Sequence, residues 1–260
     1  MPITHTLSGA NERFFSTTGF TGTNWTVMCW LRVSTLNVYS AHWAVNDTSP
    51  SGGGTTDVDP YAELYTDNAG NRLEYYNNSS GSVNLSLTTG TWYHVAMVND
   101  AGGAGNVVCY RRTATGAYGT ANLATAEAVS APDYFEIGND GYDTGSNGNQ
   151  IAFVLLFDRV LTQAEIDVQS RFAYPVLPGC TRAWPLWDEA TANLDYRNGS
   201  TAFTAEALEA ADIADYTGGI PVGVSMGQPH YGFVPTASEG GGGPAVAVFG
   251  HHYFHNVFGH

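Results

Sequence analysis

DYFEIGNDGYDTGSNGNQIAFVLLFDRVLTQAEIDVQSRF, residues Asp133 to Phe172, holds four segments of different character. Tyr134–Gly138 reads as a short strand ending at a glycine. Asn139–Gln150 is a loop of Gly, Asn, Asp and Ser, residues that reverse a chain through local hydrogen bonds. Ile151–Phe157 is the longest unbroken apolar run in the chain, expected for a strand covered on both faces. Leu161–Phe172 follows as a short amphipathic helix. Thr162 is its expected N-cap, Glu165 completes a capping box, and Leu161 with Ile166 forms a hydrophobic staple. The polar Gln169 and Ser170 suggest that this helix lies on the surface. A doubly buried strand leading into a capped helix fits the closing unit of a β-sandwich.

Upstream, Trp25, Val27, Cys29, Leu31 and Val33 alternate along Asn24–Val33, a period-two pattern. The other face, Thr26, Met28, Trp30 and Arg32, is only partly polar, so a central strand is expected. Further strands are expected at residues 3–8 (an edge strand), Val38–Val45, Tyr61–Tyr65, Arg72–Tyr76, Ser82–Leu87, Trp92–Asn99 and Val107–Arg111. Thr89-Gly90 turns the chain into Trp92. Strands recurring every 10–12 residues match an all-β sandwich.

Composition agrees. Aromatic and charged residues each make up 13% of 260 residues, and Gly numbers 31, a balance that favours strands and turns. Net charge is −15, and all nine basic residues are Arg. An acidic chain without a basic cluster excludes nucleic-acid backbones and anionic membrane surfaces as partners. The three cysteines, Cys29, Cys109 and Cys180, form no CxxC pair, and free buried thiols are expected. The N-terminus lacks the basic start and apolar core of a secretion signal, so synthesis in a cytoplasm is expected.

Three segments carry a family resemblance. Gly90-Thr-Trp-Tyr-His-Val-Ala-Met-Val98 resembles the GxWxHVAxV strand of laminin-G-like and pentraxin-like jelly rolls of the concanavalin A-like superfamily. Asn24–Leu31 resembles that family's FTxxxWv strand. Asn149, Ile151, Val154, Phe157, Asp158, Arg159, Leu161, Thr162, Glu165 and Ile166 match its closing strand and helix. The resemblance implies an all-β, antiparallel two-sheet jelly-roll sandwich, concanavalin A-like, with one short surface helix and an extended C-terminal tail. Lectins, adhesins, glycosidases and virion proteins share this fold, so it does not fix function. Trp184-Pro185-Leu186, Asp195 and Pro221 are similar to the tails of viral and environmental relatives. The organisation expected is a sandwich over 1–172, a Pro/Trp-containing extension over 173–235 that wraps it, and a Gly-rich linker with an aromatic tail over 236–260. Thr204–Ile213 has helical composition, although the comparison with relatives suggests a strand.

Candidate sites follow from residue chemistry. Asn139, Asp140, Asp143 and Asn147, with Ser146 and Asn149 nearby, offer the hard oxygen ligands that Ca²⁺ takes. Asp57 and Asp59 could join them in space. Family members hold calcium at one edge of the sandwich, so Ca²⁺ is the candidate cofactor, against the plainer reading of chain-reversing Asx turns. Trp43, Tyr61, Tyr65, Tyr75, Tyr76 and Tyr142 lie near loops and could stack on sugars, although most sandwich aromatics are structural. Catalysis finds no motif: the family's E-x-D-x-x-E strand is absent, as are G-x-S-x-G and H-E-x-x-H. A glycoside hydrolase would need two carboxylates facing one cleft. His94, mid-strand with no evident Asp or Ser partner, reads as structural.

After the linker Gly240-Gly-Gly-Gly-Pro244 comes AVAVFGHHYFHNVFGH. Phe249, Tyr253, Phe254 and Phe258 are potential anchors. His251, His252 and His255 add a weaker metal-type spacing. The leading expectation is a non-enzymatic structural protein of an assembly, a virion decoration or fibre-type protein. Residues 245–260 would tie it to copies of itself or to a capsid or scaffold protein. The alternative is a lectin-like module, extracellular or at a surface, that binds cell-surface glycan and uses calcium.

Overall fold

The computed structural model describes residues 3–5, 13–35, 40–46, 62–66, 72–76, 85–101, 106–113, 115–122, 132–137, 149–186, 195, 197, 204–206 and 213–215. The chain divides into two units, Met1–Gln228 and Pro229–His260, and the second lies outside the described residues.

The first unit is built from β1 (Ile3–His5), β2 (Arg13–Thr17), β3 (Asn24–Arg32), β4 (Ser40–Asn46), β5 (Ala62–Thr66), β6 (Arg72–Tyr76), β7 (Leu85–Ser86) and β8 (Trp92–Asp100). It continues with β9 (Asn106–Thr113), β10 (Gly119–Asn122), β11 (Tyr134–Ile137), β12 (Asn149–Phe157), the helix α1 (Gln163–Gln169), β13 (Cys180–Trp184), β14 (Thr204–Glu206) and β15 (Ile213–Asp215). Every strand pairing is antiparallel. One sheet runs β10-β9-β8-β3-β12-β1-β15, with β13 also paired to β12, for eight strands. The other runs β14-β2-β11-β4-β5-β6-β7, for seven. This is the two-sheet sandwich that the alternating sequence implies.

The core between the sheets takes alternate residues from each strand, because successive side chains of a strand point to opposite faces. Trp25, Val27, Cys29, Leu31 and Val33 meet Phe14, Trp43, Val45, Leu64, Phe135 and Ile137 there. The five alternating residues of the β3 segment thus face inward as their spacing requires. Gly90 turns the chain before β8 with φ 75°, and its amide donates to Val33 O at 2.9 Å. Only glycine adopts that φ without cost.

β12 is buried at all nine positions, and a bulge explains how. Its register with β3 shifts between Ala152 and Leu155, and Phe153 has φ 54°. The extra residue puts Ala152 and Phe153 together on the outer face, packed with Trp30 and Ala173. Ile151, Val154 and Leu156 face the inter-sheet core, whereas Leu155 and Phe157 turn out toward α1. The IAFVLLF run is continuous because both of its faces are covered.

The capping box at Thr162 forms as its sequence suggests. Thr162 N donates to Glu165 Oε2 at 2.9 Å, and Glu165 N to Thr162 Oγ1 at 3.3 Å. Leu161 and Ile166 are both buried in the cluster beneath the helix. α1 is shorter than the expected 161–172 and lies on the surface as expected, with Val168 exposed, although one of its polar residues is buried. Gln169 is 0% exposed because its amide is fully used: Nε2 donates to Tyr174 O, and Oε1 accepts from Val176 N and Leu177 N. A polar residue on this helix therefore marks a stitched loop, not a solvent-facing side.

Two expectations need correction. β1 is not an edge strand, because β12 pairs on one side and β15 on the other. Thr204–Glu206 is not helical but pairs with β2, and a further strand begins at Ile213, while residues 207–212 lie outside the described residues. The alanine-rich composition loses to long-range pairing, which overrides weak local propensity. Residues after 172 thus add strands to both sheets. Trp184 is wholly buried and stacks on Phe135, with centroids 5.6 Å apart at 9°. Asp195, also wholly buried, accepts from Ala183 N and Arg197 N. Cys29 and Cys109 are buried and free, as their place in apolar strands suggests, and Cys180 is buried and free as well.

Candidate functional site: the outward face of the seven-stranded sheet

The two sheets differ on the faces turned away from the core. On the eight-stranded sheet that face carries an apolar cluster, capped by α1. Met28, Ala96, Val98, Leu155 and Phe157 pack with Leu161, Ile166 and Cys180 beneath α1.

Next to this cluster lies His94, 2% exposed. Its Nδ1 is 3.0 Å from the Tyr118 hydroxyl, the partner that strand-local reading of the sequence did not supply. The Arg112 guanidinium lies over the Tyr118 ring at 5.2 Å and the Trp30 ring at 5.8 Å, and donates to Ser170 Oγ. Trp30 Nε1 donates to Ser170 O at 3.2 Å. Burial first, and then the Arg112 charge, push the His94 pKa down to about 3. A neutral, sealed imidazole of this kind is a poor base at ordinary pH. The cluster's chemistry is anchorage of the last turn of α1.

On the seven-stranded sheet the outward positions are mixed: Phe15 and Ala44 stand in one row with two glutamates, and all four are buried. Phe135 and Ile137 point into the core, so Glu136 between them points away, and the same parity puts Glu63 and Ala44 outward. Register aligns them: Glu136 pairs with Ala44, and Ala44 pairs with Glu63. The two carboxylates thus sit in one row on β11 and β5, with only a methyl group between them on β4. Asn46, two residues along β4, donates from Nδ2 to Glu136 Oε1 at 2.5 Å. Its Oδ1 is buried with no hydrogen-bond partner. Glu136, Asn46 and Glu63 are 1%, 6% and 7% exposed. Tyr65, next outward on β5, is half-buried. β6 brings Tyr76 beside Glu63 and Glu74 beside Tyr65 in the register.

Of the aromatics proposed for sugar stacking, Trp43 is placed in the core. It is 1% exposed with its ring centroid 5.9 Å from Phe135, which removes it from any solvent-facing cluster. It occupies an inward position of β4 despite its nearness to a loop. Tyr65, Tyr75 and Tyr76 fall on the adjacent strands β5 and β6. Tyr61 and Tyr142 lie outside the described residues, as do Asp57, Asp59, Asn139, Asp140, Asp143, Ser146, Asn147 and the whole tail from Phe249 to Phe258. Asn149 is wholly buried and serves the sandwich: its Oδ1 accepts from Ser34 N at 3.1 Å, and its Nδ2 lies 3.4 Å from His42 Nδ1. Among the described residues there is no group of three or more metal-ligating side chains. No helix among them is long and apolar enough to cross a membrane.

Sequence reading missed Glu136, Asn46 and Glu63. The available signal was a glutamate at an outward position of an otherwise apolar strand, in YFEI and in AELYT. Pairing the two needed the strand order, which no local pattern carries.

A sequence model of the family described as "Concanavalin A-like lectin/glucanases superfamily", a laminin G type, matches residues 8–167. The chain belongs to this superfamily. Solved members of the fold resemble it at low identity. One is a Bacteroides ovatus protein provisionally described as carbohydrate binding, with TM-score 0.49 and 14% identity over 71% of this chain and 51% of that one. Another is a heptameric SAP-like pentraxin of Limulus polyphemus, with TM-score 0.45 and 18% identity over 64% and 80%. A third is the Trypanosoma rangeli sialidase, with TM-score 0.40 and 15% identity over 55% and 22%. The chain spans about half the length of the Bacteroides protein. No curated protein matches it in sequence.

Proposed function

We propose that this superfamily member is a non-catalytic carbohydrate-binding module, with the part of the seven-stranded sheet around the half-buried Tyr65 as its candidate ligand face. The match to a lectin and glucanase superfamily over residues 8–167 carries this reading. One face carries an apolar cluster and the buried His94–Tyr118–Arg112 group, and α1 covers it. The other holds Glu136 and Glu63 in register across Ala44, with Asn46 two residues along β4, beside the half-buried Tyr65. Carboxylate and amide oxygens accept from sugar hydroxyls, and an aromatic ring offers a face to a sugar ring. Strand spacing sets the two glutamates' backbones ~9–10 Å apart.

A glycan array probed with the full chain, with and without chelator, tests the reading. Selective glycan binding is expected. Loss of binding on chelation would point to a divalent cation, with Asn139, Asp140, Asp143 and Asn147 as the candidate ligands to mutate. No binding in either condition, or cleavage of the bound glycan, would contradict the proposal.

An assembly role is the second reading, supported by the separate unit Pro229–His260 with its aromatic, histidine-rich end. In this reading the module is displayed on a virion or similar particle, and Phe249, His251, His252, Tyr253, Phe254, His255 and Phe258 attach it. Truncation after Pro235 should then abolish particle incorporation, and unchanged occupancy would exclude it.

A further inference from the structure

α1 and the segment after it carry an apolar surface that the glycan reading does not use. Val168 on α1 and Val176 beyond it are 47% and 39% exposed, the large apolar side chains that stay open among the described residues. The helical turn runs on past α1: Arg171 N donates to Val168 O at 3.2 Å, and Phe172 N to Gln169 O at 3.0 Å. Val168 and Phe172 therefore stand one turn apart on the same flank. Gln169 ties the next segment to that flank, because its amide binds Tyr174 O, Val176 N and Leu177 N. The half-buried Phe172 and Tyr174 rings meet there with centroids 5.7 Å apart. The flank is also locally neutral: Asp167 pairs with Arg171 at 2.5 Å, and Glu165 with Arg159 at 2.8 Å.

A clustered exposed apolar surface marks a contact site, and the rest of the chain shows what fits it. Residues 245–260, AVAVFGHHYFHNVFGH, contain no Asp, Glu, Lys or Arg. Copies that each carry a net charge of −15 repel one another. A charge-free aromatic segment meeting a neutral apolar patch is a contact that avoids this repulsion. From Asp215, the last described residue, the extended chain reaches up to ~100 Å before Ala245, far enough to cross to a neighbour. Both valines are open in the single chain, so the surface is available to a second one.

We propose that residues 245–260 of one copy seat on the Val168–Phe172–Tyr174–Val176 surface of a second copy. The proposal rests on the assembly reading above and names the surface that receives the tail. The contact is head-to-tail, so it closes copies into a ring or extends them as a filament.

Sedimentation velocity of the full chain over a range of concentrations tests it, with two variants. Val168→Glu/Val176→Glu spoils the patch, and Phe249→Ser/Tyr253→Ser/Phe254→Ser/Phe258→Ser spoils the tail. The parent should self-associate, and each variant alone should do so at least ~10-fold more weakly. Mixed in equal amounts, the two variants should form a heterodimer, because each supplies the half that the other lacks. Misfolding of either variant cannot give that result. A monomeric parent, a patch variant that associates like the parent, or a mixture that stays monomeric would overturn the proposal. A monomeric parent that still needs its tail for particle incorporation would overturn this proposal alone and leave the assembly reading standing.

Discussion

Trp184 stacks on Phe135 from the opposite sheet, with ring centroids 5.6 Å apart and planes 9° from parallel. The contact joins a residue beyond the family match, which ends at 167, to the centre of the sandwich. β13, which carries Trp184, also pairs with β12 over Val154–Phe157. Trp184→Ala should therefore cost about 3–5 kcal/mol, the usual loss for a large buried aromatic. A chain ending at Phe172 should not fold cooperatively. Denaturant unfolding measures both, and a cooperative 1–172 fragment of full stability would contradict this role.

His94 sets an acid limit on stability. A free histidine protonates near pH 6.5, but folding holds His94 neutral to about 3. The unfolded chain thus binds the proton first as pH falls. The folded state should lose up to ~1.4 kcal/mol per pH unit from this group between those values. His94→Gln, which can still accept from Tyr118, should flatten that part of the pH–stability curve relative to the parent. Superimposable curves would show that His94 does not carry the effect.

The capping box gives a smaller, local effect. Thr162→Ala removes the Oγ1 acceptor for Glu165 N and should cost about 1 kcal/mol. Glu165 is also bound by Arg159 at 2.8 Å. That hydrogen bond first, then the one from Thr162 N, hold its carboxyl below the ordinary value. Its contribution is present above the ordinary glutamate range and is lost as pH falls through the lowered value. Thr162→Ser should restore most of the loss in a thermal melt, which separates capping from packing.

Cys29, Cys109 and Cys180 are 0%, 1% and 6% exposed, and burial pushes each thiol up to about 12. The thiolate is the reactive form. All three should resist maleimide in the native protein and react together on unfolding. Mass spectrometry after timed labelling reads this directly. One thiol labelled fast under native conditions would mean local opening around it.

Most of the scaffold was legible because local signals agreed with the global fold. Trp25 to Val33 alternates for one buried face, Ile151–Phe157 is apolar on both, and Thr162 with Glu165 spells out a cap. What failed had no local signature. The three-residue strand Ile213–Asp215 pairs with Ile3–His5, which pairs with β12 on its other side, so neither the second strand nor the inner place of the first could be read locally. Trp43 looked like a loop aromatic, but parity within β4 sends it inward. Glu136 and Glu63 lie 73 positions apart in sequence and meet across β4 only once strand order is known. The site was harder to read than the fold because it is a property of the sheet, not of any one strand.

The central claim is that glycan binds the seven-stranded sheet around Tyr65. Backbone amide NMR of the isotope-labelled full chain, titrated with a glycan that the array identifies, tests it most directly. Shift changes should cluster at Ala44–Asn46, Glu63–Tyr65 and Tyr134–Glu136 while the α1 face stays still. Changes confined to α1 and its sheet face, or to residues 245–260, would contradict it.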